Sequence, residues 1–149
     1  MSGKSIQELA QAFREAFLSA DLSGAPGNLP YFPKGCCSWA TWFLGHYLKI
    51  EHGLEPVEIQ ATRFSPDGTQ HHAWIEVSGL IVDITSDQFE DCPLPIYGVE
   101  HSLWHQTWEK ARREDIHDVE RLDSALLNSS IKPSEAYNRI LTQVRARCA

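Results

Sequence analysis

Two cysteines stand side by side, Cys36 and Cys37, in the run FPKGCCSWATWFLGHYL between Phe32 and Leu48. A thiolate is an intrinsically potent nucleophile, and a thiol becomes one when a neighbouring base takes its proton. A third group usually orients that base. The run HHAWIEVSGLIVDIT, from His71 to Thr85, offers both: two histidines, then Glu76 and Asp83. Cys–His chemistry of this kind attacks carbonyl or carboxamide carbon and passes through a thioester.

The two cysteines separate on a helical wheel. At roughly 100° per residue, Cys36, Ala40, Phe43 and Tyr47 fall within about 60° of one another and form the middle of an apolar stripe. Cys37 lies about 100° further round, beside Leu44 and Leu48. Cys36 therefore reads as a small buried hydrophobe, and Cys37 as a thiol at the first turn of a helix. There the unpaired backbone N–H groups favour a thiolate and can hold an oxyanion. Taken alone, the stretch reads first as two core cysteines.

Strand alternation puts His72, Trp74 and Glu76 on one face, and His71, Ala73, Ile75 and Val77 on the other. Closing a hairpin over Ser78-Gly79 pairs Val77 with Leu80 and Trp74 with Asp83. His72 and Asp83 then share a face as diagonal neighbours, about 5–8 Å apart at Cβ. His71 points away. Glu76 is a weaker orienter, about 13 Å along the strand from His72. An acid flanked by Ile81, Val82 and Ile84 needs either solvent or a partner.

With these residues placed, the chain from Tyr31 to Phe89 resembles the transglutaminase-like and papain-like cysteine enzyme superfamily. The resemblance lies in the Gly35-x-Cys37 helix start, then His72-Ala73-Trp74-x-Glu76, then Asp83-x-Thr85-x-Asp87-Gln88-Phe89. It is closest to small bacterial members. The resemblance implies a nucleophile helix packed on an antiparallel sheet and a catalytic triad of Cys37, His72 and Asp83. It also implies substrate-binding positions at Gln88, Trp74 and Trp39, no cofactor and no metal. The substrate would be a protein, a peptide or a small amide, and the activity that of a peptidase, an amidase or deamidase, or a transglutaminase-like acyltransferase. The alternative is a non-catalytic binding module that retains the fold.

Elements of ordinary kind must position these groups. Ile6, Leu9, Ala10, Phe13 and Phe17 follow helical spacing after Ser5, and predict a helix to about Ala20. A loop rich in proline and glycine follows, up to Pro33. The nucleophile helix should run from about Cys37 to Glu51. VEIQATRF alternates as a strand, and SPDGTQ is a turn. After Pro95 the spacing predicts helix again, with a charged helical segment from Trp104 to Leu127 and a final helix from Ser134 to Cys148. His101, His105 and His117 read as solvated or half-buried helix residues. Trp104 and Trp108 read as a core stripe, and EKARRED as a solvated helix face in which Glu109 and Arg113 are spaced to pair. The order of elements predicts one α+β domain of papain/transglutaminase-like architecture over residues 1–149.

Bulk properties set limits on partners. With 149 residues and 42% hydrophobic composition, the chain can bury a core of its own. A net charge of −7 argues against a nucleic-acid or anionic-membrane partner. No stretch approaches the roughly 18 apolar residues of a membrane span. Cys36, Cys37, His71, His72 and Cys92 show neither C-x2-C nor H-x3-H spacing, and adjacent ligands point in different directions, so they predict no metal site. The expected location is the cytoplasm, with export lacking a cleaved signal left open.

Overall fold

The computed structural model describes residues 3–124 and 129–148. Helix α1 (Ile6–Ser19) begins with a capping box: Glu8 N–H donates to the Ser5 hydroxyl, and Ser5 N–H donates to the Glu8 carboxylate, both at 3.1 Å. Its apolar stripe buries Leu9, Ala10, Phe13, Ala16 and Phe17. Helix α2 (Cys37–His52) takes Cys36 as its N-cap. It ends at Gly53, whose φ of 64° is the left-handed conformation that glycine adopts without steric cost.

Five strands follow: β1 (Val57–Ser65), β2 (Gly68–Val77), β3 (Leu80–Asp83), β4 (Ile96–Val99) and β5 (Glu109–Asp115). They form one antiparallel sheet in the order β4-β3-β2-β1-β5. The β2–β3 register pairs Val77 with Leu80 and Ile75 with Val82, as the Ser78-Gly79 turn requires. Short helices α3 (Leu103–Gln106) and α4 (Val119–Leu122) flank β5, and α5 (Pro133–Cys148) closes the described chain. The architecture is α+β.

The sheet has two unlike faces. Ile75, Val77, Val82 and Ile84 pack with α1, α2 and α5 in the main core. Ile59, Ala61, Trp74 and Trp108 form a smaller cluster on the opposite face, joined by Phe89 and Trp104. Among the described residues no helix is long and apolar enough to cross a membrane.

The structure corrects the reading of the chain after Pro95. Residues Ile96–Val99 are the edge strand β4, not helix. The charged segment expected to be helical is broken by a strand between the short helices α3 and α4: EKARRED is β5, paired with β1 and almost wholly exposed. A strand exposed on both faces has no apolar alternation, so charge spacing suggested a helix instead. Arg113 pairs with Glu76 across the sheet rather than with Glu109. The end of the expected segment, residues 125–127, lies outside the described residues.

Phe13 is fully buried where α1 meets α2 and α5, with its ring centroid 5.0 Å from Tyr47 and 6.5 Å from Tyr137. Phe13→Ala should lower the unfolding free energy by about 3–5 kcal/mol in urea denaturation, with the m-value unchanged.

Candidate functional site

The β2–β3 hairpin brings a histidine and an aspartate of its two strands together. His72 Nε2–H donates to Asp83 Oδ2 at 2.7 Å, and neither side chain is more than 1% exposed. Thr85 supports the other carboxylate oxygen, its backbone N–H lying 3.2 Å from Asp83 Oδ1. The diagonal pair read from the hairpin is therefore formed. Glu76, the weaker orienter, instead binds Lys110 and Arg113 at 3.1 and 2.8 Å.

Asp83 has a second imidazole that the sequence reading did not place. His105 Nε2–H donates to the same Oδ2, also at 2.7 Å. Ser102 caps α3 by accepting the His105 backbone N–H at 3.2 Å. Its hydroxyl then donates to His105 Nδ1 at 2.6 Å, which leaves the ring proton on Nε2 for Asp83. His105 is 1% exposed, so its expectation as a solvated or half-buried helix residue is corrected. The available signal was Ser-x-x-His at a helix start, which a lone sequence does not distinguish from ordinary capping.

These contacts set the charges. Burial alone would raise the Asp83 pKa, but His72 and His105 pull it down to about 2. Burial likewise opposes a charged His72. The Asp83 carboxylate outweighs it, the Cys37 thiol adds to the effect, and the His72 pKa rises to about 9. The His72 ring is boxed by Phe89, Trp108, Trp74 and Trp104, with centroids 4.9–5.8 Å away. Arg63 covers that box, its guanidinium 4.4 Å from the Trp108 ring and bidentate to Asp91. A dry aromatic shell strengthens the Asp83 interactions.

Cys37 is the first residue of α2 and is half-buried. Its thiol acts on the His72 ring, yet His72 Nδ1 is buried and makes no hydrogen bond of ordinary geometry. Cys36 is buried, and burial pushes its thiol up to about 12. The two adjacent cysteines thus differ as the helical wheel indicated.

The residues expected to touch substrate divide three ways. Gln88 is half-buried: its Oε1 accepts the Gly35 N–H at 3.1 Å, two residues before Cys37, and its Nε2 is left without a partner. Gln88 also lines a surface cleft of about 890 Å³ that includes Arg63, Gln70 and Phe89. Trp39 is half-buried and packs edge-on against Trp42 and Phe43, close over Gly27. Trp74 does not reach substrate space. It is 1% exposed and stacks its edge on His105 at 4.6 Å, so its expected substrate contact is corrected to packing behind His72.

His72, Asp83 and His105 also offer three ligand atoms within 4.8 Å of one another, a set that could hold a metal. Both nitrogens, however, stand 2.7 Å from one shared oxygen, the separation of a charge-assisted hydrogen bond. Two further groups, His46–Asp118–Glu120 and Glu58–Glu114–His117, also hold their ligand atoms within 4.8 Å of one another.

Comparison with protein-family models, with curated proteins and with solved structures finds no match.

The Asp83 cluster makes stability depend on pH at both ends. Asp83 titrates below its usual 3.8, so its contribution is present above about pH 4 and is lost as pH falls toward 2. His72 titrates above its usual 6.5, so its contribution is complete below that value and is lost as pH rises through 9. Asp83→Ala strands two buried imidazoles and should cost about 3–5 kcal/mol. The gap between wild type and variant in thermal or urea unfolding should be widest between about pH 4 and 6.5 and narrow on either side.

Proposed function

We propose that this chain is a cysteine hydrolase or acyltransferase of papain/transglutaminase-like architecture, acting on an amide through Cys37, His72 and Asp83. The observation that carries the proposal is the buried Asp83–His72 bond through Nε2, which leaves Nδ1 as the unpartnered nitrogen. Support for the third member is that the Cys37 thiol, at the start of α2, contributes to the raised pKa of His72.

In this reading His72 takes the Cys37 proton on Nδ1, and the resulting imidazolium favours the thiolate. Sulfur attacks the amide carbon to give a tetrahedral oxyanion, which the Cys37 backbone N–H at the helix start can hold. The C–N bond then breaks, and the nitrogen leaves with the proton from His72 Nδ1. Attack by water on the thioester gives hydrolysis or deamidation, and attack by an amine gives acyl transfer. Asp83 keeps the ring in the required tautomer and stabilises its charge. His105 and Ser102 hold Asp83 from the far side, as positioning residues.

The reading is tested by alkylation with iodoacetamide near neutral pH, followed by peptide mass spectrometry. Cys37 should label at least about tenfold faster than Cys92, and His72→Ala should remove the difference. Labelling of Cys37 at the Cys92 rate, unaffected by His72→Ala, would favour a binding module that keeps the fold. An electrophilic amide or peptide trap should form an adduct on wild type and none on Cys37→Ala. Turnover of any accepted amide should fall as pH rises past about 9, where His72 loses its proton.

A further inference from the structure

Away from the cysteine site, β1 and β5 carry a pairing that ordinary sheet chemistry avoids. Glu58 and Glu114 are direct cross-strand partners. Like charges placed opposite one another destabilise a sheet. Glu58 is also 0% exposed, on the helix-facing side with its other partner Ile75. Neither of its carboxylate oxygens makes a hydrogen bond of ordinary geometry. Burial pushes its pKa up and Glu114 pushes it further, although the Trp42 indole, the Gln60 amide and His117 draw it down.

A buried carboxylate in this position calls for a proton or a cation. A third donor is in place. His117 follows β5 by two residues, and ligand atoms of Glu58, Glu114 and His117 lie within 4.8 Å of one another. The His117 ring is held edge-on to Trp42, at a centroid distance of 5.7 Å and an interplanar angle of 87°. Arg112 pairs with Oε1 of Glu114, so Oε2 is the oxygen that remains for a metal.

We infer that Glu58, Glu114 and His117 form a divalent-metal site that ties the edge strand β5 and the segment after it to β1. Two carboxylates and one imidazole are borderline-to-hard ligands, suited to Mn²⁺ or Zn²⁺. Three protein ligands leave further coordination positions to water. The site shares no residue with the proposed thiol chemistry and stands or falls separately from it.

The probe is Mn²⁺, which avoids the competing thiols. Titration into the full chain, followed by loss of the free-ion electron paramagnetic resonance signal, should show one saturable site per chain. Glu58→Gln and His117→Ala should each weaken it at least about tenfold. Thermal unfolding supplies a second readout. Without metal, Glu58→Gln should melt higher than wild type, because it removes an unpaired buried acid. With saturating Mn²⁺ the order should reverse, because only wild type gains from binding. No saturable binding below about 1 mM, or the same order of melting with and without metal, would overturn the site and assign Glu58 a bound proton instead.

Discussion

The buried carboxylate of Asp83 is the constraint around which much of the molecule is arranged. A charge this far from water survives only with full hydrogen bonding. Asp83 receives it from His72, His105 and Thr85, which come from β2, α3 and the end of β3. The Ser78-Gly79 turn fixes the register that sets His72 diagonal to it. Ser102 starts a four-residue helix that delivers His105. The turn after Thr85 is anchored from α1: Arg14 donates to both oxygens of Asp87 at 2.8 and 2.6 Å. That turn also carries Gln88, whose side chain receives the Gly35 N–H just before the cysteines. One buried charge thus links the N-terminal helix, the hairpin and the start of α2.

The electrostatic consequence runs in one direction. Two imidazoles on a single oxygen would compete if both were charged. The Ser102 hydroxyl, already accepting from the His105 backbone, donates to His105 Nδ1. His105 is thereby committed to Nε2–H donation toward Asp83, alongside His72. The aromatic box of Trp74, Phe89, Trp104 and Trp108 keeps water from screening the His72–Asp83 contact. The pKa of His72 rises because the Asp83 carboxylate outweighs the burial that opposes its charge, even though its side chain is fully buried.

How much was legible in the chain follows from which interactions are local. The α1 capping box, the α2 boundaries and the β2–β3 register depend on residues a few positions apart, and each follows from spacing. The His72–Asp83 pair follows from that register. His105 and β5 did not follow, because their roles are set across the sheet. His105 stands 22 residues from Asp83, inside a segment whose charges mimic a helix. Trp74 was misplaced for a related reason. Alternation correctly puts it beside His72, but only the packing of Trp108 and His105 over that face shows that it is covered. The separation of Cys36 from Cys37 was legible because a helical wheel needs no partner.

Strand β5 shows why such a segment resists reading from sequence while still shaping function. Its exposed charges suit an edge strand, since they discourage pairing with another chain. They also remove the apolar alternation that would identify it. Yet both its ends reach inward. Trp108, immediately before β5, closes the box over His72. Glu114, near its end, stands opposite buried Glu58. The register shifts between Gln60 and Ala61, so the two halves of β5 are set against β1 in different phase. That irregularity lets one polar edge strand support the histidine on one face of the sheet and place a carboxylate beside Glu58, which packs on the other. Each role depends on β5 remaining seated on β1, so any ligand that holds Glu58 and Glu114 together also steadies the wall against which His72 packs.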